Sequence, residues 1–168
     1  MDLKKFRAEA SRKKTRLTKF LKKLDKVVPT DIHEIVTVTD ATVWRDIDCT
    51  HCANCCKTMT PTFTPKDIKR ISAHLGMDAK AFKAKWLTKE EDTGDWVNVL
   101  QPCQFLVNNM CSIYEVRPAD CAEFPHHNKK PFDDYNDTFT NNLVHCPATL
   151  TLVDRLHKVI RREYEGYD

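Results

Sequence analysis

Four of the chain's eight cysteines fall within eight residues, Cys49, Cys52, Cys55 and Cys56, in the order C-x2-C-x2-C-C. No other feature limits the possible folds so sharply. Thiolates two residues apart can converge on one metal, because the backbone between them turns tightly enough to aim both sulfurs inward. A disulfide at that spacing is strained, and the neighbours Cys55 and Cys56 cannot bridge comfortably at all. Cys103, Cys111, Cys121 and Cys146 follow at wider intervals. The eight together read as metal ligands, sufficient for one or two centres. Because Cys55 and Cys56 point in different directions, they either face two sites or divide into one ligand and one packed or reactive thiol.

At 168 residues the chain is about one domain long and can bury a core without disulfides. No apolar run exceeds three residues, so neither a membrane span nor a signal-peptide core is expected. That points to a cytoplasmic protein in a reducing compartment, where thiolates meet metal more often than each other. The three glycines, Gly76, Gly94 and Gly166, form no phosphate-binding loop, which counts against a P-loop or dinucleotide site. No Ser/His/Asp arrangement and no usefully spaced carboxylate pair stands out, so no catalytic residue is nominated. Asp133-Asp134 reads as solvated.

The net charge of +3 is unevenly spread, with eleven Lys/Arg against three Asp/Glu in residues 1–28 and sixteen against twenty-one in the rest. In residues 2–28 the side chains of Leu3, Phe6, Ala10, Leu17, Phe20, Leu21, Leu24 and Val28 trace one face of a helix. Lys13 and Lys14 interrupt that face, and Pro29 is expected to end it. The chain thus divides into a basic amphipathic helix, residues 1–30, and a cysteine-cluster metal-binding domain, residues 31–168. The helix is either a solvated face packed on that domain or a docking arm for a protein, a nucleic acid or an anionic membrane surface. No aromatic residue alternates with its lysines, which argues against base-specific recognition.

Further along, the β-branched run from Ile32 to Ile47 suggests extended structure, followed by the first cysteine cluster in a loop. Thr64 and Pro65 mark a helix start, with Gly76 placed to end it, and Asp78 can cap a second helix through about Leu87. A short strand is expected over Trp96 to Leu100, then a hairpin turning at Asn108-Asn109. Pro118 starts one helical turn that carries Cys121 inward, and residues 128–142 read as a loop. Pro147 opens a final helix to about Tyr164, with Leu150, Val153, Leu156, His157 and Ile160 inward. The fold class is mainly α with a small β hairpin and irregular loops, a compact cysteine-rich single domain organised by metal.

On spacing alone, Cys49, Cys52 and Cys55 match the three-cysteine loop that holds a cubane iron–sulfur cluster, with Cys146-Pro147 offering the distant fourth ligand. Zinc competes, since paired thiolates plus distant cysteines also describe a four-thiolate site. His51, His126, His127 and His145 lie near cysteines and could replace a thiolate, although core or surface roles are commoner for histidine. Arg117, between Cys111 and Cys121, either offsets thiolate charge or pairs with Glu115 or Asp120. Tyr114 and Glu115 read equally as packing and solvent residues.

The strings CTHCANCC at 49–56, PCQFLVNNMCSIYEVRPADCAEFP at 102–125 and His145-Cys146-Pro147 resemble the YkgJ-type cysteine-cluster family, with its CxxCxxCC signature. The resemblance spans roughly residues 44–150 and takes in all eight cysteines, with the C-x-I-Y-x-x-R-P-x-x-C segment its most specific part. It implies a zinc- or iron-chelating domain rather than a particular reaction. A flagellin lysine methylase that resembles the family is associated with an iron–sulfur cluster, which leans the expectation towards iron. Ala53 departs from the glycine that members often have there. Three functions compete: an iron or iron–sulfur centre doing redox or modification chemistry, a structural zinc module that docks a partner, and a metal storage, delivery or sensing protein.

Overall fold

Helix α1 (Leu3–Leu24) begins where the Asp2 carboxylate accepts the backbone N–H groups of Lys4 and Lys5. Residues 2–167 are described by the computed structural model. The inner face of α1 buries Phe6, Ala10, Leu17, Phe20, Leu21 and Leu24. Lys13 occupies an apolar slot on that face because its ammonium reaches the buried carboxylate of Asp154, at 3.0 Å. The helix stops at Leu24, short of Pro29, because Asn136 donates to the Leu21 carbonyl and to the Asp25 carboxylate at the final turn.

The segment expected to be extended is instead helix α2 (Ile32–Asp46). Its buried residues Ile32, Val36, Thr39 and Val43 are spaced by four, three and four, which is a helical stripe. Val38, 63 % exposed, supplied the misleading alternation. β-Branching costs a few tenths of a kcal/mol per residue in a helix, whereas burying an aliphatic side chain gains roughly 1.5–3 kcal/mol. Burial therefore wins. The first cysteine cluster is likewise two short helices rather than a loop, α3 (Cys49–Cys52) and α4 (Asn54–Thr58). Ala53 between them adopts φ 47, ψ 22, the left-handed conformation that glycine occupies without strain.

Tight packing divides the chain into two units, residues 2–49 with 125–167, and residues 50–124. The first unit is helical. α9 (Pro147–Glu163) packs along α2 and α1, with the Arg155 guanidinium donating to Thr42 and Asp46 of α2. The stretch expected as a loop at 128–142 contains α8 (Asn136–Asn142) behind a 3-10 turn at Asp133–Tyr135. Its polar composition conceals two fully buried aromatic anchors, Phe132 and Phe139, whose rings stack at 4.5 Å.

The second unit is built from short pieces with strong local signals. β1 (Thr62–Phe63), β2 (Leu87–Lys89) and β3 (Trp96–Asn98) form an antiparallel sheet in the order β1-β3-β2. Thr64 caps α5 (Pro65–His74) in a reciprocal box with Asp67, and Pro65 occupies the first turn. Gly76, at φ +66, closes that helix: its N–H bonds to Ala73 O, and Met77 N–H reaches Ser72 O. Asp78 caps α6 (Ala79–Trp86). β4 (Leu106–Val107) and β5 (Met110–Cys111) pair through Asn108 and Asn109, both at positive φ, as a two-residue hairpin requires. Pro118 precedes α7 (Ala119–Glu123). The core here is Phe63, Ile68, Ile71, Phe82, Leu87, Phe105 and Ile113. The architecture is mainly α with two small antiparallel sheets.

Candidate metal centre

The second unit contains Cys52, Cys55, Cys56, Cys103, Cys111 and Cys121, while Cys49 and Cys146 belong to the first. Cys52 and Cys146 are buried, Cys49 is exposed and the other five are partly buried. Four of the thiols in the second unit lie close enough to feel one another's charge. Cys56 raises the thiol pKa of Cys103, Cys111 and Cys121, and Cys103 and Cys111 in turn raise Cys121. For all three the larger cause is burial, which disfavours the thiolate. Cys56 is held protonated first by its hydrogen bond to Cys55, then by burial. The adjacent pair thus meets at the thiols, contrary to the expectation that they diverge.

The backbone prepares two of these sulfurs for negative charge. Cys103 accepts the N–H of Phe105 and Cys111 that of Ile113, each two residues ahead, and both bonds favour the thiolate. Asn98 adds a side-chain bond to Cys103. A 2.8 Å bond from Cys103 N–H to Cys56 O fastens α4 to the strand side of the unit. Lys57 donates to Asn109 in the hairpin turn, and Asn109 donates to Thr50 O at 3.2 Å. These ties span more than 45 residues of chain and bring the two halves of the cysteine pattern together.

Cation charge also reaches the cluster. Lys57 lowers Cys56, and Arg117 lowers Cys111. The Arg117 guanidinium lies 3.9 Å from the centre of the Tyr114 ring and donates to Tyr114 O. Its positive charge thus bears on Cys111, while its donated bond goes to the Tyr114 carbonyl. Asp67 is the residue that sequence reasoning missed. Besides its cap, its buried carboxylate accepts Ala119 N–H at the head of α7 and the Arg70 guanidinium, which also donates to Arg117 O. One carboxylate thereby positions the helix that carries Cys121 and, through Arg70, the end of the 3-10 turn Tyr114–Val116 that Arg117 closes. The T-x-x-D spacing signalled the cap; the longer reach had no local sign.

The histidines separate. His127 is 3 % exposed, and both ring nitrogens are engaged, Nδ1 with Asp40 at 2.7 Å and Nε2 with the Thr149 hydroxyl at 3.0 Å. It is a core histidine, without a nitrogen for metal. His126 stacks near Tyr135, His51 is exposed on α3 and His145 is partly buried beside Cys146. Tyr114 and Glu115 are both exposed.

Among the described residues, no three His, Cys, Asp or Glu side chains stand in ligating positions about one point. The donor chemistry nonetheless fits a thiophilic cation. Desolvated thiols with preset N–H···S bonds and nearby cations release protons when a metal replaces them, and the long loops between them gain their anchor.

A mainly helical frame with six cysteines in its second unit has the donor chemistry of a metal-chelating domain. The chain belongs to the CxxCxxCC family, described as a "Putative zinc- or iron-chelating domain", whose model matches residues 48–147. No curated protein and no solved structure matches it. No helix among the described residues is long and apolar enough to cross a membrane.

Proposed function

We propose that the chain is a cytoplasmic metal-chelating protein whose second unit holds iron, as an iron–sulfur or iron centre, through Cys56, Cys103, Cys111 and Cys121. The observation that carries this reading is the 2.8 Å bond from Cys103 N–H to Cys56 O, which sets the first cysteine cluster against the Cys103–Cys111 segment, where the N–H groups of Phe105 and Ile113 are aimed at sulfur. Cys55, bonded to Cys56, and Cys52 are the other two cysteines of this unit. Cys49 and Cys146 are the ligands left for a second centre. Iron bound there supplies one-electron chemistry. Burial keeps these thiols protonated until a metal displaces the protons; the protein's own part is to offset some of the negative charge then left on sulfur, through the N–H groups of Phe105 and Ile113 and the charges of Lys57 and Arg117. Zinc is the alternative. A complete four-thiolate set of partly buried sulfurs suits a closed structural zinc site equally well in donor chemistry.

Protein purified without oxygen and without added metal, then assayed by absorption spectroscopy and elemental analysis, separates the two. Broad absorption that bleaches on reduction, with iron and acid-labile sulfide, supports the iron–sulfur reading. A colourless protein with stoichiometric zinc replaces it with the structural site. Cys121→Ser should remove most of the metal from this centre, and an unchanged content would overturn the ligand set.

A further inference from the structure

A second feature stands apart from the thiols. α1 carries ten Lys/Arg and one carboxylate, Glu9, in its 22 residues. A solvated helix face ordinarily mixes both signs along i, i+4 pairs; here Glu9 with Lys13 is the single such pair among ten cations. At 100° per residue, the exposed small residues Ala8, Ser11 and Thr15 run along the middle of the outer face, with the exposed Lys4 and Lys22 at the two ends of the same strip. Arg7 and Lys14 line one edge, and Lys5, Arg12 and Lys19 the other, all exposed.

The same surface continues onto α9. Phe20 of α1 packs edge-on against His157 at 5.2 Å, which sets the end of α1 beside Lys158 and Arg161. Their positive charge is felt in common: burial, then Arg16, Arg161 and Lys158, disfavour the His157 imidazolium, although Asp154 opposes them. The carboxylates nearby are already engaged. Asp154 is held by Lys13, Arg16 and Lys158, Glu9 by Lys13, and Glu163 by Arg162.

We infer that this face binds the phosphate backbone of double-helical nucleic acid, without reading its sequence. At 1.5 Å per residue the helix is about 33 Å long, close to one turn of a duplex. Cations on both edges of a central strip of small residues, with Lys4 and Lys22 at its ends, can reach the phosphates on either side of a groove. An anionic membrane is the poorer fit. Interfacial helices insert their apolar face, and here that face is buried against α8 and α9. With no aromatic on the outer face, stacking on single-stranded bases has no platform.

The test uses the full chain and a fluorescent duplex of about 20 base pairs, roughly two turns, in DNA and RNA forms of unrelated sequence. About five phosphate contacts give a slope of log K against log salt near −4 to −5. Arg12→Glu/Lys14→Glu/Lys19→Glu should lower affinity at least about 100-fold at low salt and cut the slope by about three. The control Lys66→Glu/Lys69→Glu/Lys80→Glu makes the same change of net charge on exposed lysines of the second unit. It should leave affinity within about threefold, as expected for charges outside the contact surface. Equal loss in both variants, or no loss in the first, overturns the placement. Binding to phosphatidylserine vesicles or polyglutamate but not to either duplex overturns the choice of partner. Unchanged melting of both variants shows that the effect is not misfolding.

Discussion

The two units of this protein are stabilised by different means. The first has long helices, an extended interior of large side chains and a buried ion cluster around Asp154. The second has strands of two or three residues, a seven-residue apolar core and six thiols. Hydrophobic burial scales with the apolar area removed from water, and a few short elements remove little of it. What the second unit lacks in core it replaces with caps, turns and, on the reading proposed above, metal. On that reading, one chain combines a segment that folds by burial with one that folds by ligation.

Removing metal should expose this contrast most strongly, because thiolate binding of a structural ion is worth on the order of 10 kcal/mol. After treatment with chelator and reductant, hydrogen exchange should accelerate by more than about 100-fold at Phe105 to Ile113. Amides in α1 and α9 should keep their protection. Simultaneous loss in both would dissolve the comparison.

Next in size are core truncations. Leu21→Ala in the first unit should cost about 3 kcal/mol in denaturant unfolding, with metal content per folded molecule unchanged. Phe82→Ala in the second, also fully buried, should cost about 4 kcal/mol and lower metal content as well. If both leave metal untouched, the thiol cluster does not depend on the local core.

Asp67→Ala should cost about 2 kcal/mol, since it removes the reciprocal half of the capping box, leaving the N–H of Thr64 without its acceptor, and orphans the N–H of Ala119. Metal release, followed with a chromophoric chelator, should quicken as α7 loses its tether. A variant that destabilises without faster release would limit Asp67 to capping.

Acid provides a gentler probe. Burial raises the Asp154 carboxyl, but hydrogen bonds and charge from Lys158 and Lys13 outweigh it and leave the group below 3.8. Asp67 is lowered too, with Thr64 and Arg70 outweighing burial. A depressed carboxyl stabilises the fold above its unfolded pKa and loses that contribution as pH falls through the folded one. Melting temperature should therefore decline below about pH 4, and Asp154→Asn should flatten that decline. An unchanged profile would remove Asp154 from the account.

The smallest effect concerns Ala53. Releasing its left-handed strain by Ala53→Gly should raise stability by roughly 0.5 kcal/mol, because relief of about 1 kcal/mol is partly offset by unfolded-state entropy. A loss instead would mean that the buried methyl outweighs the strain.

Much of the second unit could be read along the chain. The Thr64–Asp67 box, the Asp78 cap, the Asn108-Asn109 turn and Pro118 before α7 all act within three or four residues, so neighbours suffice to specify them. The first unit was read less well at α2 and α8. In α2, β-branched side chains favoured the wrong period, and in α8 polar residues hid Phe132 and Phe139. In each case burial against distant helices overrode local preference.

Residue order alone settled that thiols dominate this protein and that its basic charge is confined to one helix. Thiol content, charge and short-range hydrogen bonds are properties of residues and their near neighbours. Which thiols share a neighbourhood, why Lys13 interrupts an apolar face, and that His127 has no nitrogen to spare were decided by folding. Cys56 meets Cys103, Lys13 meets Asp154 and His127 meets Asp40 and Thr149 across long stretches of chain. Such contacts exist only once the packing of helices and strands has brought remote segments together and excluded the water between them.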